Sequence, residues 1–171
     1  ANGDPNAGPA DYANVDPSTE WTGTWRDMRF AGDPDATGQR PENSLTGQLF
    51  RADGDGEMGA LDVPQEDAAL RYWRGTSVQA NGGVTDMANG LIGYEWDSVA
   101  TDANRPAGEI TLSQSTMPWN DILVDQGNTT VPGTATHSLS LYRAPSGALV
   151  FDAGTVFWSW GLSDQHDSSP Y

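Results

Sequence analysis

Glu95 closes the apolar run Leu91-Ile92-Gly93-Tyr94. A carboxylate at a strand end faces the crevice where open α/β sheets hold their ligands, and there it can serve as an acid, a base or an oxygen ligand. The competing reading is a structural glutamate paired with an arginine such as Arg26 or Arg143. His137 precedes the alternating segment 138–142. An imidazole with an ordinary pKa near ~6.5 suits a general base or proton shuttle, whereas a packed histidine would simply bond a backbone carbonyl. Asp53-Gly54-Asp55-Gly56-Glu57 places Asp53 and Asp55 on a glycine-rich loop, the oxygen-rich chemistry that Ca²⁺ takes. The full loop signature is incomplete, because Pro64 stands where a bidentate glutamate belongs. Asp97, Asp102 and Asn104 make a second acidic loop of the same kind. Arg26, in Trp25-Arg26-Asp27, and Arg143 are the candidate anion-binding guanidinium groups, unless they pin loops. His166 sits among Asp164 and Asp167 and reads as a solvated group with weak metal-ligating capacity. There is no Gly-rich phosphate loop, no Gly-x-Ser-x-Gly elbow and no cysteine, so a nucleophilic mechanism has no candidate.

The elements that must position these groups are short. Residues 1–20 are polar and rich in Asn, Asp, Gly and Pro, and read as an extended arm or linker. Residues 44–52, 60–63, 91–96, 109–113, 122–124, 138–142 and 148–151 carry strand patterns. Asp53-Gly54-Asp55-Gly56 predicts a hairpin turn into 60–63. Pro145-Ser146-Gly147 predicts a turn that pairs 138–142 with 148–151, since Pro presets φ and Gly accepts φ > 0. Residues 70–74 form a short amphipathic element, and 125–133 read as loop. Thr155 can cap a short helix carrying Phe157, Trp158, Trp160 and Leu162. Strand, glycine break and helix together suggest an α/β layer. The expected count is seven to nine strands and one or two short helices.

The 171 residues suffice for one domain with a real core. Net charge is −16, and all eight basic residues are arginine. Such a surface repels nucleic-acid phosphates and anionic lipid heads, and it suits a saline or calcium-containing medium that screens self-repulsion. No apolar run is long enough to span a membrane. Seven tryptophans could make a sugar-binding platform. Of these, Trp119 is expected to be the exposed one.

Five blocks, in order, resemble a known family. They are Glu20-Trp21-Thr22-Gly23-Thr24-Trp25-Arg26-Asp27, Arg40-Pro41-Glu42-Asn43-Ser44-Leu45-Thr46-Gly47, Gly93-Tyr94-Glu95-Trp96-Asp97, Arg105-Pro106-Ala107-Gly108, and the stretch from Thr134-Ala135-Thr136-His137 to Trp158-Ser159-Trp160-Gly161-Leu162. Over residues 14–167 the chain resembles the C-terminal region of the N,N-dimethylformamidase large (beta) subunit and its relatives. The resemblance implies an amidotransferase-like α/β fold decorated with strands. It also implies amide hydrolysis at a mononuclear iron held by two tyrosines and a glutamate, with Glu95 in the glutamate's place and both tyrosines upstream of this chain. The family's site pairs a histidine with that glutamate, two residues before it; here that residue is Gly93. Many relatives are large secreted proteins.

The expected fold is therefore α+β and strand-rich, part of an amidotransferase-like layer with an added β-subdomain. Residues 1–20 are the arm, 21–162 the formamidase-like domain and 163–171 a polar tail. The favoured function is a non-catalytic or incomplete module of a larger secreted, surface or filament-forming protein. One alternative is the half of an iron-dependent amide hydrolase, active only with its upstream part, in which Glu95 serves as acid or ligand and His137 supports it. The other is a carbohydrate-binding module. The expected cofactors are iron in the longer protein, or calcium. The expected partner is the remainder of the polypeptide or a companion chain, with no nucleic acid and no membrane insertion, and a homo-oligomer is compatible.

Overall fold

A computed structural model describes residues 41–124 and 129–162. The chain divides into two compact units, Ala1–Pro41 and Glu42–Tyr171, and the fold below is that of the second. Arg26 and His166 lie outside the described residues, as do the arm and the tail.

Among the described residues nine strands form three sheets, and every ladder is antiparallel. The strands are β1 (Gln48–Asp53), β2 (Gly59–Val63), β3 (Val84–Ile92), β4 (Trp96–Val99), β5 (Ile110–Thr111), β6 (Ser115–Leu123), β7 (Thr130–His137), β8 (Ser140–Arg143) and β9 (Leu149–Asp152). The four-stranded sheet has the order β4-β1-β6-β7, the second is the pair β2-β3, and the third has the order β5-β8-β9. The edge strands of the largest sheet approach each other, because Ser98 Oγ on β4 donates to the Thr136 carbonyl on β7 at 2.7 Å. The strand-rich expectation therefore holds. The helices are single turns: α1 (Gln65–Ala68), α2 (Ser77–Asn81) and 3-10 turns at Glu42–Ser44, Arg71–Trp73 and Trp158–Leu162. Thr155 Oγ1 accepts from Gly93 N at 2.8 Å and from Phe157 N at 3.5 Å, so it introduces a 3-10 turn, where an ordinary helix was expected.

Local chemistry explains most of these boundaries. Thr76 caps α2 through Gln79 N, and Gly82 ends it at φ 69, a left-handed conformation that costs glycine nothing. The Pro145-Ser146-Gly147 turn closes with Gly147 N on Ala144 O at 2.8 Å and gives the expected register, Leu141 opposite Phe151. Pro118 is tolerated inside β6 because β1 covers only Ile122 and Asp121 of that strand, leaving Pro118 bonded on one side.

Three expectations need correction. Asp53-Gly54-Asp55-Gly56 is not a hairpin turn: β1 pairs with β4 and β6, while β2 leaves for a separate sheet with β3. The run 91–96 is not one strand, because β3 ends at Ile92 and β4 begins at Trp96. The stretch called loop at 125–133 already belongs to β7 from Thr130. Its apolar content is too low to signal burial, and Thr130–Thr134 is indeed exposed.

The core gathers Ala52, Leu61, Val63, Trp73, Ile92, Trp96, Leu112, Trp119, Ile122 and Leu139. Trp119 is thus buried, with its Nε1 on the Asp53 carbonyl at 2.7 Å, and this corrects the exposure expected of it. Beside this core lies a polar layer. Glu109 is enclosed and holds Arg105 Nε at 2.9 Å, and a Cβ on Gly47 would sit 2.1 Å from Glu109 Oε1. Gly47 also has φ +99. Replacing Gly47 with Ala therefore adds both a clash and backbone strain, and a loss of roughly 2–4 kcal/mol is expected in denaturant unfolding. A loss below about 0.5 kcal/mol would show that this close approach does not exist.

Candidate functional site

Glu95 stands in the connection between β3 and β4, held by the backbone on both sides. Val156 N donates to the Glu95 carbonyl at 3.2 Å, and Asp97 N donates to the Gly154 carbonyl at 2.8 Å. Trp96 itself bridges Thr155. These contacts set 152–156 against 95–97 and leave an open cleft of about 310 Å³ between them. Its walls are Phe50, Glu95, Asp97, Asp152, Ala153, Gly154, Thr155 and Val156, so three acidic residues border one space. The register of β1 on β4 puts Ala52 opposite Trp96 and thereby brings Asp53 toward Glu95. Partial burial, and secondarily the charge of Asp53, raise the Glu95 carboxyl above its ordinary range. Asp152 is raised as well, by burial, against hydrogen bonds from Gly154 N and Thr46. Its Oδ1 accepts from Gly154 N at 2.9 Å, while Oδ2 is buried with no hydrogen-bond partner.

Gly154 is shaped by the same wall. Its φ is +58, and a Cβ there would lie 3.0 Å from the amide nitrogen of Gln48, which is fully buried. Behind Ala153 lies His137, also fully buried. Its Nε2 is 2.9 Å from the Ala153 carbonyl, and because a carbonyl only accepts, Nε2 carries the proton. Nδ1 has no partner, and the ring meets Trp96 edge-on at 6.2 Å. Burial pushes the His137 pKa down to about 4, the hydrogen bond to Ala153 opposing that shift only in part. The ring is therefore neutral at pH 7 and supports the cleft wall from behind.

The other expected site residues are scattered. Arg143 is exposed and donates from Nη1 to the Gly147 carbonyl at 2.6 Å, where it closes the β8–β9 turn. Asp53 and Asp55 are exposed, and Asp53 Oδ1 accepts from Gly54 N at 2.8 Å. Asp102 Oδ1 accepts from Asn43 Nδ2 at 2.9 Å and Asn104 N at 2.8 Å, which makes its loop a local turn. Among the described residues, no group of three or more His, Asp or Glu converges as a metal cage would require. The wall residue Asp152 and the buried Gln48 behind Gly154 went unnoticed from sequence. Asp152 carried a signal, an acid at the end of an apolar strand like Glu95. Gln48 carried none, since nothing local marks a buried amide.

A family model for the N,N-dimethylformamidase beta subunit-like C-terminal region matches residues 8–169. The chain belongs to this family. Neither the curated proteins nor the solved structures gave a match. In this formamidase-like C-terminal domain, Gly93 stands two residues before Glu95 in a position with no room for a side chain. A Cβ on Gly93 would lie 2.8 Å from Phe157 Cγ and 2.8 Å from Val156 Cγ2. The space a histidine would need beside Glu95 is occupied by packed side chains.

Two outcomes follow. Glu95 has a raised folded pKa, so its ionised form is disfavoured in the fold and stability rises as pH falls through that range. Glu95→Gln should accordingly unfold no earlier than wild type at pH 7 and lose this low-pH component; a marked loss of melting temperature at pH 7 would reveal a stabilising partner for the carboxylate. His137 has the opposite sense. Its folded pKa of about 4 lies below the unfolded 6.5, so its contribution is fully present above pH 6.5 and drains away down to pH 4, by about 3 kcal/mol. His137→Leu should flatten that part of the stability–pH profile, and an unchanged profile would show that the ring titrates in the folded state.

Proposed function

We propose that this chain is a non-catalytic module of a larger secreted or surface polypeptide, a formamidase-like domain that keeps the scaffold and not the chemistry. The supporting observation is Gly93. The residue that the family resemblance expects to be the histidine partner of Glu95 has no side chain, and Phe157 and Val156 fill its place. The chemistry that the family resemblance implies needs a histidine beside the glutamate and a metal held also by two tyrosines, and no such histidine or tyrosine lines the cleft among the described residues. The other titratable residues that line the cleft are Asp97 and Asp152. The one described histidine is neutral and enclosed behind Ala153. The amidotransferase-like layer implied by the family would, on this reading, be completed by other parts of the polypeptide or by a companion chain.

A second reading is favoured by Glu95 itself, a carboxylate of raised pKa on an open cleft. It makes the domain one half of an iron-dependent hydrolase of linear amides. The resemblance implies iron held by two tyrosines and a glutamate. Among the described tyrosines, Tyr72 stacks on Phe151, Tyr94 packs edge-on against Phe157, and Tyr142 donates to the Leu45 carbonyl at 2.6 Å. None lines the cleft, so the described residues supply one ligand of three and do not fit the metal by themselves. A carbohydrate-binding role has less support: Trp73, Trp96 and Trp119 are buried.

Metal analysis of the longest natural polypeptide separates the two readings. The proposal expects iron well below one per chain, no change on Glu95→Gln, and no hydrolysis of formamides. Stoichiometric iron that disappears in Glu95→Gln, with the thermal unfolding of the variant intact, would overturn it in favour of the hydrolase.

A further inference from the structure

We propose that the outer edge of β9 is a docking site for an extended acidic segment of another protein. In the sheet order β5-β8-β9, β9 is an edge strand. Its open side can be read from the ladder. Ala144 N donates to Ala148 O at 2.9 Å, and bonded and non-bonded pairs alternate along an antiparallel ladder. Tyr142–Val150 is then a bonded pair, and Arg143–Leu149 and Leu141–Phe151 are non-bonded pairs. The other side of β8 agrees, since Leu112 N donates to Leu139 O at 2.8 Å, which makes Ile110–Leu141 the bonded pair toward β5. The main-chain N–H and C=O of Leu149 and Phe151 therefore point away from the sheet.

Edges of this kind are normally blunted by lysine, proline, a bulge or a covering element. β9 is short and ends in the charged Asp152, but within Leu149–Phe151 it has no lysine, proline or bulge: four consecutive pairs run in regular register, and among the described residues no further strand pairs with its outer side. Its side chains invite contact too. Leu149 is 61 % exposed and Phe151 38 %. Leu149, Phe151, Leu141 and Ile110 share one face, because directly paired residues project to the same side. Tyr72 extends that face by stacking on Phe151, with centroids 5.7 Å apart and planes at 12°.

Charge selects the occupant. Five arginines fall within the described residues, Arg51, Arg71, Arg74, Arg105 and Arg143, in a chain of net charge −16. Arg71 and Arg74 belong to the same turn as Tyr72 and are exposed, and exposed Arg143 is the residue opposite Leu149. Of the five, Arg143 is thus paired with the edge strand itself, and Arg71 and Arg74 belong to the turn whose Tyr72 lies on Phe151. At about 0.15 M salt, charges act over roughly 8 Å, so the arginines nearest Leu149 and Phe151 count for more than the chain's net charge, with Asp152 at the strand's end opposing them. An incoming strand that alternates apolar and acidic side chains would satisfy the open main-chain groups, cover Leu149 and Phe151, and meet the arginines. This surface is independent of whether the Glu95 cleft does chemistry.

The test uses the full chain and a capped peptide of alternating valine and aspartate, about ten residues long, against its valine–lysine counterpart. The acidic peptide should bind at least ~10-fold more tightly at physiological salt and more weakly as salt rises. Amide exchange read by NMR should slow at Leu149 and Phe151 and stay constant at Val150, whose N–H is already used. Leu149→Pro removes one outward N–H without breaking the β8 ladder and should cost at least ~10-fold in affinity. Should that variant fail to fold, Arg71→Gln with Arg74→Gln must weaken the acidic peptide and leave thermal unfolding unchanged. Equal binding of both peptides, protection elsewhere, or no protection at millimolar peptide would overturn the proposal. So would concentration-dependent self-association protecting the same two amides without peptide, because the edge would then serve a second copy.

Discussion

Trp96 is the side chain on which the two larger sheets depend for their alignment. It is fully buried, lies opposite Ala52 in the β1–β4 ladder, and forms the bridge to Thr155 that joins β4 to the segment leaving β9. Its ring meets Trp119 edge-on at 5.5 Å and His137 at 6.2 Å, so β6 and β7 are held by the same indole. Burial of such a ring is worth about 3–5 kcal/mol on truncation, whereas a single hydrogen bond contributes about 1 kcal/mol net. Packing at Trp96 therefore outweighs the individual backbone bonds that place Glu95 and Gly154. The cleft exists where it does because the indole fixes the seam between the sheets.

That seam carries an unusual polar load. Gln48, His137 and Ser140 are fully enclosed, and each retains an atom without a hydrogen-bond partner. Unpaired buried polar atoms cost about 1–3 kcal/mol each, so the surrounding apolar core must offset them. Gly47 and Gly154 belong to this layer, each in a positive-φ conformation with a buried polar side chain where a Cβ would go. Small residues there are a consequence of polar groups that the fold insists on enclosing.

The parts of this architecture that follow short-range rules were legible in the sequence. The Pro145-Ser146-Gly147 turn and the pairing of 138–142 with 148–151 follow from turn chemistry and alternation alone. Glu95 was placed near a cleft, though as the end of a strand, when it stands in a connection. What failed depended on distant partners. Asp53-Gly54-Asp55-Gly56 looks like a hairpin locally, yet the strand after it is drawn to β3, because Leu61 and Val63 complete the core there. Trp119 looked free because it lies outside the blocks that resemble the family; Trp96, more than twenty residues away, covers it. Gln48 and Asp152 meet across more than a hundred residues, a proximity that no local pattern encodes.

The same seam links two features that stand apart on the surface. β9 runs directly into Asp152, Ala153, Gly154 and Thr155, which form one wall of the Glu95 cleft, and that wall is fastened to the opposite one through Trp96, Asp97 and Val156. The β8–β9 hairpin and the acidic cleft thus share one continuous stretch of backbone, and the position of Asp152 relative to Glu95 and Asp97 is fixed by bonds that prolong the ladder in which β9 sits.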